Sequence, residues 1–194
     1  MNTPSSIITF YRIDKDEISK INRLLSAQGS GEGLNAERNA EKPKALRTAL
    51  DFEYKVLDNN TVEITKYTGK GDIVKIPDRI NGIPVTKLGN RAFERCSSLT
   101  EVVIPNSVTT IRDSAFYGCS SLTNVVIPNS VTKIGDWAFF GCTSLTEVVI
   151  PNSVTTIGLL AFAGCDNLVI KCARSSKAEE YARLYKIKCD STMR

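Results

Sequence analysis

Six cysteines and no histidine bound the chemistry open to this 194-residue chain. Cys96, Cys119, Cys142 and Cys165 recur at one fixed step of 23 residues, and Cys172 and Cys189 stand outside that series. Metal sites gather their ligands at short spacing, as in C-x-x-C pairs, and a uniform long step does not build one. The four periodic thiols therefore read as small buried apolar groups. The lack of histidine removes the usual general base, the commonest metal ligand and the switch that titrates near neutrality. Carboxylates are scattered with no pair spaced for acid–base work, and no P-loop, G-x-S-x-G or glycine-rich dinucleotide fingerprint occurs. Asn59-Asn60-Thr61 fits a glycosylation sequon and Lys70-Gly71-Asp72 an integrin-type tripeptide, but motifs this short arise by chance. No catalytic residue, cofactor or metal is expected. What remains is recognition, together with thiol oxidation at Cys172 and Cys189.

The elements that must carry these residues are set by an internal repeat. Ile104-Pro105-Asn106-Ser107-Val108-Thr109 returns at Ile127–Thr132 and again at Ile150–Thr155. Phe93, Phe116, Phe139 and Phe162 keep the same step, as do Leu99, Leu122, Leu145 and Leu168, and Leu88, Ile111, Ile134 and Ile157. A unit this short has too little apolar surface to form a core alone, so units must stack and bury each series as a ladder. Leu122, Val125 and Ile127 alternate as in a strand, and Pro128, with no N–H to donate, ends it. Val131 and Ile134 mark a second short extended stretch. Ala138 and Phe139 are expected on a helical turn closed by Gly141 and Cys142. The reading is an α/β fold: a short right-handed solenoid with a parallel sheet along one side.

The unit C-x-x-L-x-x-V-x-I-P-x-x-V-x-x-I-x-x-x-A-F-x-x-C resembles the leucine-rich repeats of the BspA (Treponema pallidum-type) family over roughly Phe52 to Cys189. The resemblance implies a cell-surface or secreted interaction module, often of adhesion type. No apolar signal run is visible between Met1 and Leu25, where Ile7, Ile8, Phe10 and Tyr11 are followed by charges. A cytoplasmic location therefore stays open.

Four segments follow. Residues 1–50 read as an amphipathic helix over Asp14–Leu25 and a linker over Ala27–Lys44. Residues 51–84 hold a hairpin, Phe52–Val56 returning as Thr61–Thr65, and the first strand at Val74–Pro77. The hairpin is expected to cover the open first edge of the coil. An insert with the turn pair Asn81-Gly82 follows. Residues 85–168 are four 23-residue repeats, and 169–194 a cap in which Ser175 or Ser176 starts a helix ending near Leu184, before a closing strand at Ile187–Cys189. If Cys172 and Cys189 hold equivalent inward positions on neighbouring strands, their Cα atoms lie about 4.8 Å apart, within disulfide range.

Net charge is only +4. The excess of lysine and arginine lies towards the C-terminus, so the repeats lack the basic stripe of a nucleic-acid binder. No segment is apolar enough to insert in a membrane. The variable repeat positions carry the recognition signal. One series reads Arg91, Ser114, Trp137, Leu160, and another reads Glu94, Tyr117, Phe140, Ala163. Trp137 and Phe140, three apart on the expected helical turn, should share a side with Tyr117 and Leu160 and form an apolar patch. A second candidate face is the outward strand stripe Val103, Val126 and Val149. The function expected is a non-catalytic, adhesin-like module binding a protein or host surface macromolecule. The alternative is a structural spacer without a ligand of its own. The sequence names no partner and sets no oligomeric state.

Overall fold

The computed structural model describes residues 51–193. The helix and linker expected within residues 1–50 lie outside them. The described chain is a β-solenoid whose strands fall into two parallel-stacked sheets and whose third side is a column of tight turns.

One sheet is built from the repeat strands themselves. β3 (Ile73–Lys75), β6 (Glu101–Val103), β8 (Asn124–Val126) and β10 (Glu147–Val149) pair in parallel, in that order. Val102, Val125 and Val148 point inward, and Val103, Val126 and Val149 outward, as period-two alternation requires. The proline after each strand begins a turn: the Pro105, Pro128 and Pro151 carbonyls accept from Val108, Val131 and Val154 at 3.0–3.1 Å.

The second extended stretch forms a sheet of its own, which the sequence reading did not foresee. It runs β5 (Ile83–Leu88), β7 (Thr110–Ile111), β9 (Lys133–Ile134) and β11 (Thr156–Ile157), all parallel. The N-terminal hairpin, β1 (Phe52–Val56) and β2 (Val62–Tyr67), adds to this sheet by a parallel β2–β5 pairing. It therefore covers the first edge of one sheet only, because β3 itself begins the other. Asn81 and Gly82, both at positive φ (51° and 78°), turn β4 (Arg79–Ile80) back on β5. This is the hairpin turn expected of that pair.

The helical turn expected at Ala138–Phe139 is a correction. Each such segment is a run of tight turns in which some N–H groups bond back three residues, as Phe140 and Cys142 do, while the alternate ones bond forward to the next repeat instead of along a helix. Trp137, Phe139 and Gly141 donate to the Leu159, Ala161 and Ala163 carbonyls at 2.9, 2.7 and 2.8 Å. The stacked geometry offers carbonyls at strand-like spacing, so inter-repeat bonds replace intrahelical ones.

The phenylalanine ladder is the centre of the core. Successive ring centroids from Phe93 to Phe162 lie 4.8, 5.0 and 5.1 Å apart and the rings are nearly parallel. Tyr67 closes it at the first end, 5.4 Å from Phe93, and Tyr181 at the other, 6.0 Å from Phe162 and edge-on. The cap after the last repeat is β12 (Val169–Ala173), α1 (Lys177–Leu184) and β13 (Lys188–Met193), with β13 parallel to β12. Ser176, not Ser175, is the N-cap: its hydroxyl accepts from the Glu179 N–H while the Glu179 carboxylate accepts from the Ser175 N–H.

Candidate functional site

The turn side brings the first predicted group of residues to the surface. Ala138 and Phe139 are buried, while Trp137 before them is 41% exposed and Phe140 after them half-buried. Tyr117 stacks on Phe140 with ring centroids 5.1 Å apart and planes 5° from parallel. Leu160 occupies the place of Trp137 one repeat on, at 39% exposure, and its neighbour Leu159 is more exposed still.

The backbone of this side has a feature the residue types do not announce. Arg91, Ser114, Trp137 and Leu160 all sit at positive φ, between 52° and 58°. The left-handed region is natural for glycine and costly for a bulky side chain. Four residues on, Arg95, Gly118, Gly141 and Gly164 share that region, and glycine holds three of the four places. One left-handed column has thus gone to glycine, and its neighbour keeps side chains in every repeat.

Beside the column runs an aspartate ladder. The Asp113 carboxylate accepts from the Asp136 N–H at 3.0 Å, and the Asp136 carboxylate from the Leu159 N–H at 2.8 Å. Leu159 cannot continue it, which leaves an exposed apolar side chain where the two preceding repeats carry a carboxylate. On the opposite sheet the Val103, Val126 and Val149 stripe is continuous, since these residues pair in register. Val126 is the most exposed of the three. Lys171 follows Val149 in the same column and binds Glu147 at 2.8 Å.

At the end of the array the turn ladder is left open. The Phe162 N–H finds the Tyr181 hydroxyl at 3.2 Å. The flanking Leu160 and Gly164 N–H groups, whose counterparts in the preceding repeats donate forward, have no acceptor among the described residues. Both residues line an open cleft of about 740 Å³ between the last repeat and the segment Tyr185–Lys188.

Three of the four periodic thiols are buried as their spacing suggested, whereas Cys96 in the first repeat is only half-buried. Cys119, Cys142 and Cys165 are buried and donate to the Phe93, Phe116 and Phe139 carbonyls at 3.0–3.2 Å. Burial pushes the Cys119 thiol up to about 12. Among the described residues no group of three histidine, cysteine or acidic side chains is placed to hold a metal. Cys172 and Cys189 are not directly opposite each other, contrary to the expected equivalence. Ile170 pairs with Cys189 and Lys171 with Asp190, and the register then slips before Ala173 meets Met193. Cys189 thus lies opposite Ile170, two residues before Cys172 on the same strand face, which leaves the two cysteines diagonal across the strand pair, and their sulphurs still approach to 3.2 Å.

Sequence reasoning missed Glu63. It is 3% exposed and bonded to Lys55 at 3.1 Å and Arg112 at 3.5 Å, which ties the hairpin to the second repeat. A lone acid in an alternating strand carries no sign that two cations will cover it.

A family model described as the BspA type leucine rich repeat region matches residues 60–180 in six copies. Among solved structures, the chain is 33% identical to the T. pallidum leucine rich repeat protein, over 66% of this chain and 71% of that one, with a TM-score of 0.54. It is 35% identical to a leucine rich cell surface protein from Faecalibacterium prausnitzii A2-165, with a TM-score of 0.60 over 71% of this chain. The match spans only 39% of that longer protein. A Bacteroides ovatus leucine-rich repeat protein is 29% identical over 65% of this chain and 37% of its own length, with a TM-score of 0.55. No curated protein matches in sequence. Leucine-rich repeats generally serve as protein-interaction modules and are typically non-catalytic. No helix among the described residues is long and apolar enough to cross a membrane. With its 23-residue stacking, its Ile-Pro strand ends and the family match over more than half its length, the chain belongs to the BspA-type leucine-rich repeat family.

Proposed function

We propose that this chain is a non-catalytic, adhesin-like module that binds a protein, or another host surface macromolecule, through the turn side of its last repeats. The observation that carries this reading is the left-handed column that keeps Trp137 and Leu160 where glycine would fold at less cost. Folding alone does not ask for a half-exposed tryptophan there, and exposed clusters of tryptophan, tyrosine and leucine mark interaction sites. The Tyr117–Phe140 stack extends the patch along the array, and the cleft behind Leu160 continues it around the end. The Leu160 and Gly164 N–H groups, without an acceptor among the described residues, suit a partner that offers main-chain carbonyls in an extended segment. The Val103–Val126–Val149 stripe is the second face available to it. Action at the cell surface is supported by the name of the Faecalibacterium relative.

The test uses the full chain carrying Tyr117→Ser and Trp137→Ser together, against a host-cell surface-protein extract. Loss of a partner captured by the wild type, with melting unchanged, supports the patch. A lowered melting temperature with capture intact assigns these aromatics to packing. Capture by neither protein favours the spacer.

A further inference from the structure

We propose that Cys172 and Cys189 are a covalent modification site: they oxidise to an intramolecular disulfide that latches the C-terminal cap. The proposal is independent of what the array binds. It stands first on geometry, since the two sulphurs are 3.2 Å apart on neighbouring strands. It stands next on contrast with the other thiols. Cys119, Cys142 and Cys165 each donate to a phenylalanine carbonyl inside the coil, whereas the cap pair bond to each other. Access is the third observation. Cys189 is half-buried and lies on an open cleft whose walls include Ser175, Glu179, Arg183 and Ile187, so a small disulfide can reach it. Cys172 is fully buried behind it.

The chemistry balances with a low-molecular-weight disulfide such as oxidised glutathione as the oxidant. The Cys189 thiolate attacks one sulphur of that reagent, forming a mixed disulfide and releasing one small thiol. The Cys172 thiolate then attacks Cys189 Sγ, closing the protein bond and releasing the second small thiol. The two protein thiols lose two electrons and two protons, and the reagent gains both. Burial, reinforced by the hydrogen bond with Cys172, pushes the Cys189 thiol up to about 12. Its thiolate is scarce near neutrality, so closure should speed about tenfold per pH unit below that value.

The bond would join β12 to β13 across α1. That helix carries Tyr181, the residue that ends both the phenylalanine ladder and the hydrogen-bond ladder. Fraying of the cap then requires both strands to leave together.

The test incubates the full chain with oxidised glutathione at pH 8, alkylates the unfolded product and maps it by mass spectrometry. Four alkylated thiols and a linked Cys172–Cys189 peptide are expected. Six alkylated thiols, or a bond to a ladder cysteine, would overturn the site. Oxidation of the wild type should also raise its melting temperature by several degrees, and the Cys189→Ser protein, altered only at the half-buried partner, should show no such rise. A wild type that oxidises with no gain in melting temperature would overturn the latch.

Discussion

The Tyr181 hydroxyl accepts the main-chain N–H of Phe162 at 3.2 Å, a task that main-chain carbonyls perform in every preceding repeat. Ala115 serves Phe93, Ala138 serves Phe116 and Ala161 serves Phe139, each at 2.7 Å. One side chain from the cap thus stands in for the next repeat, both as acceptor and as the ring that ends the aromatic ladder. Tyr181→Phe keeps the ring and removes the acceptor. Leaving that buried N–H unpaired should cost about 1–3 kcal/mol. Amide exchange at Phe162 should accelerate while that at Phe116 holds. Equal protection at Phe162 in both proteins would refute the account.

Alkali tests the same residue from the other side. Burial first, against hydrogen bonds to the Phe162 and Ala161 backbone, moves the Tyr181 phenol up from an ordinary value of 10.0 to about 12. The folded state therefore favours the neutral phenol. Its contribution is complete below about pH 10, where the unfolded tyrosine ionises, and is lost as pH climbs towards 12. Buried cysteines titrate in the same window, so the informative quantity is the difference between two proteins. The gap in melting temperature between wild type and Tyr181→Phe should narrow between pH 10 and 12, and a constant gap would contradict it.

The phenylalanine ladder predicts a gradient of damage. Phe139 is flanked by parallel rings 5.0 and 5.1 Å away on both sides. Phe139→Ala should cost about 3–5 kcal/mol, the range for other fully buried phenylalanines. Contacts run only between neighbouring repeats, so the loss divides the array into two weakly coupled halves. Urea unfolding should broaden or split into two transitions. A single transition as sharp as that of the wild type would argue against such local coupling.

Hydrophobic periodicity reports burial, and burial was legible. The Phe93–Phe162, Leu99–Leu168 and Leu88–Ile157 series, the Pro128-type strand ends, the Asn81-Gly82 turn and the α1 helix all announce themselves by residue type. Hydrogen bonding between repeats does not. β7, β9 and β11 are two residues long, too short for alternation to show, so the second sheet was invisible. The turn side looked helical because Ala-Phe carries no mark of whether its N–H bonds back along the chain or forward to the next repeat. Within the candidate site, the stacking of Tyr117 on Phe140 followed from the period. The left-handed backbone at Trp137 did not, because glycine or asparagine is the usual signal and neither is present. Nor could the sequence show that Ile170, rather than Cys172, lies opposite Cys189.

Gly135 shows how one position can be closed to every side chain without being a flexible joint. Its φ is not in the left-handed region, so the demand for glycine comes from neighbours alone. A Cβ there would lie 2.6 Å from the Asp113 backbone nitrogen and 2.7 Å from the Arg112 carbonyl carbon, besides striking the Asp113 carboxylate. Backbone cannot step aside as the end of a flexible side chain can. Gly135→Ala should therefore destabilise by about 1–3 kcal/mol or more, the cost of an overpacked site. Two companions separate the causes. Adding Asp113→Ala removes the carboxylate and its bond to the Asp136 N–H but leaves the backbone clash, so the double variant should be no more stable than the single one. Gly82→Ala meets nothing within 4 Å, yet sits at a φ of 78°, so its cost should be only the left-handed penalty of about 1–2 kcal/mol. Thermal unfolding of the three variants decides the matter. If the double variant recovers wild-type stability, the carboxylate and not the repeat backbone is what holds this position to glycine.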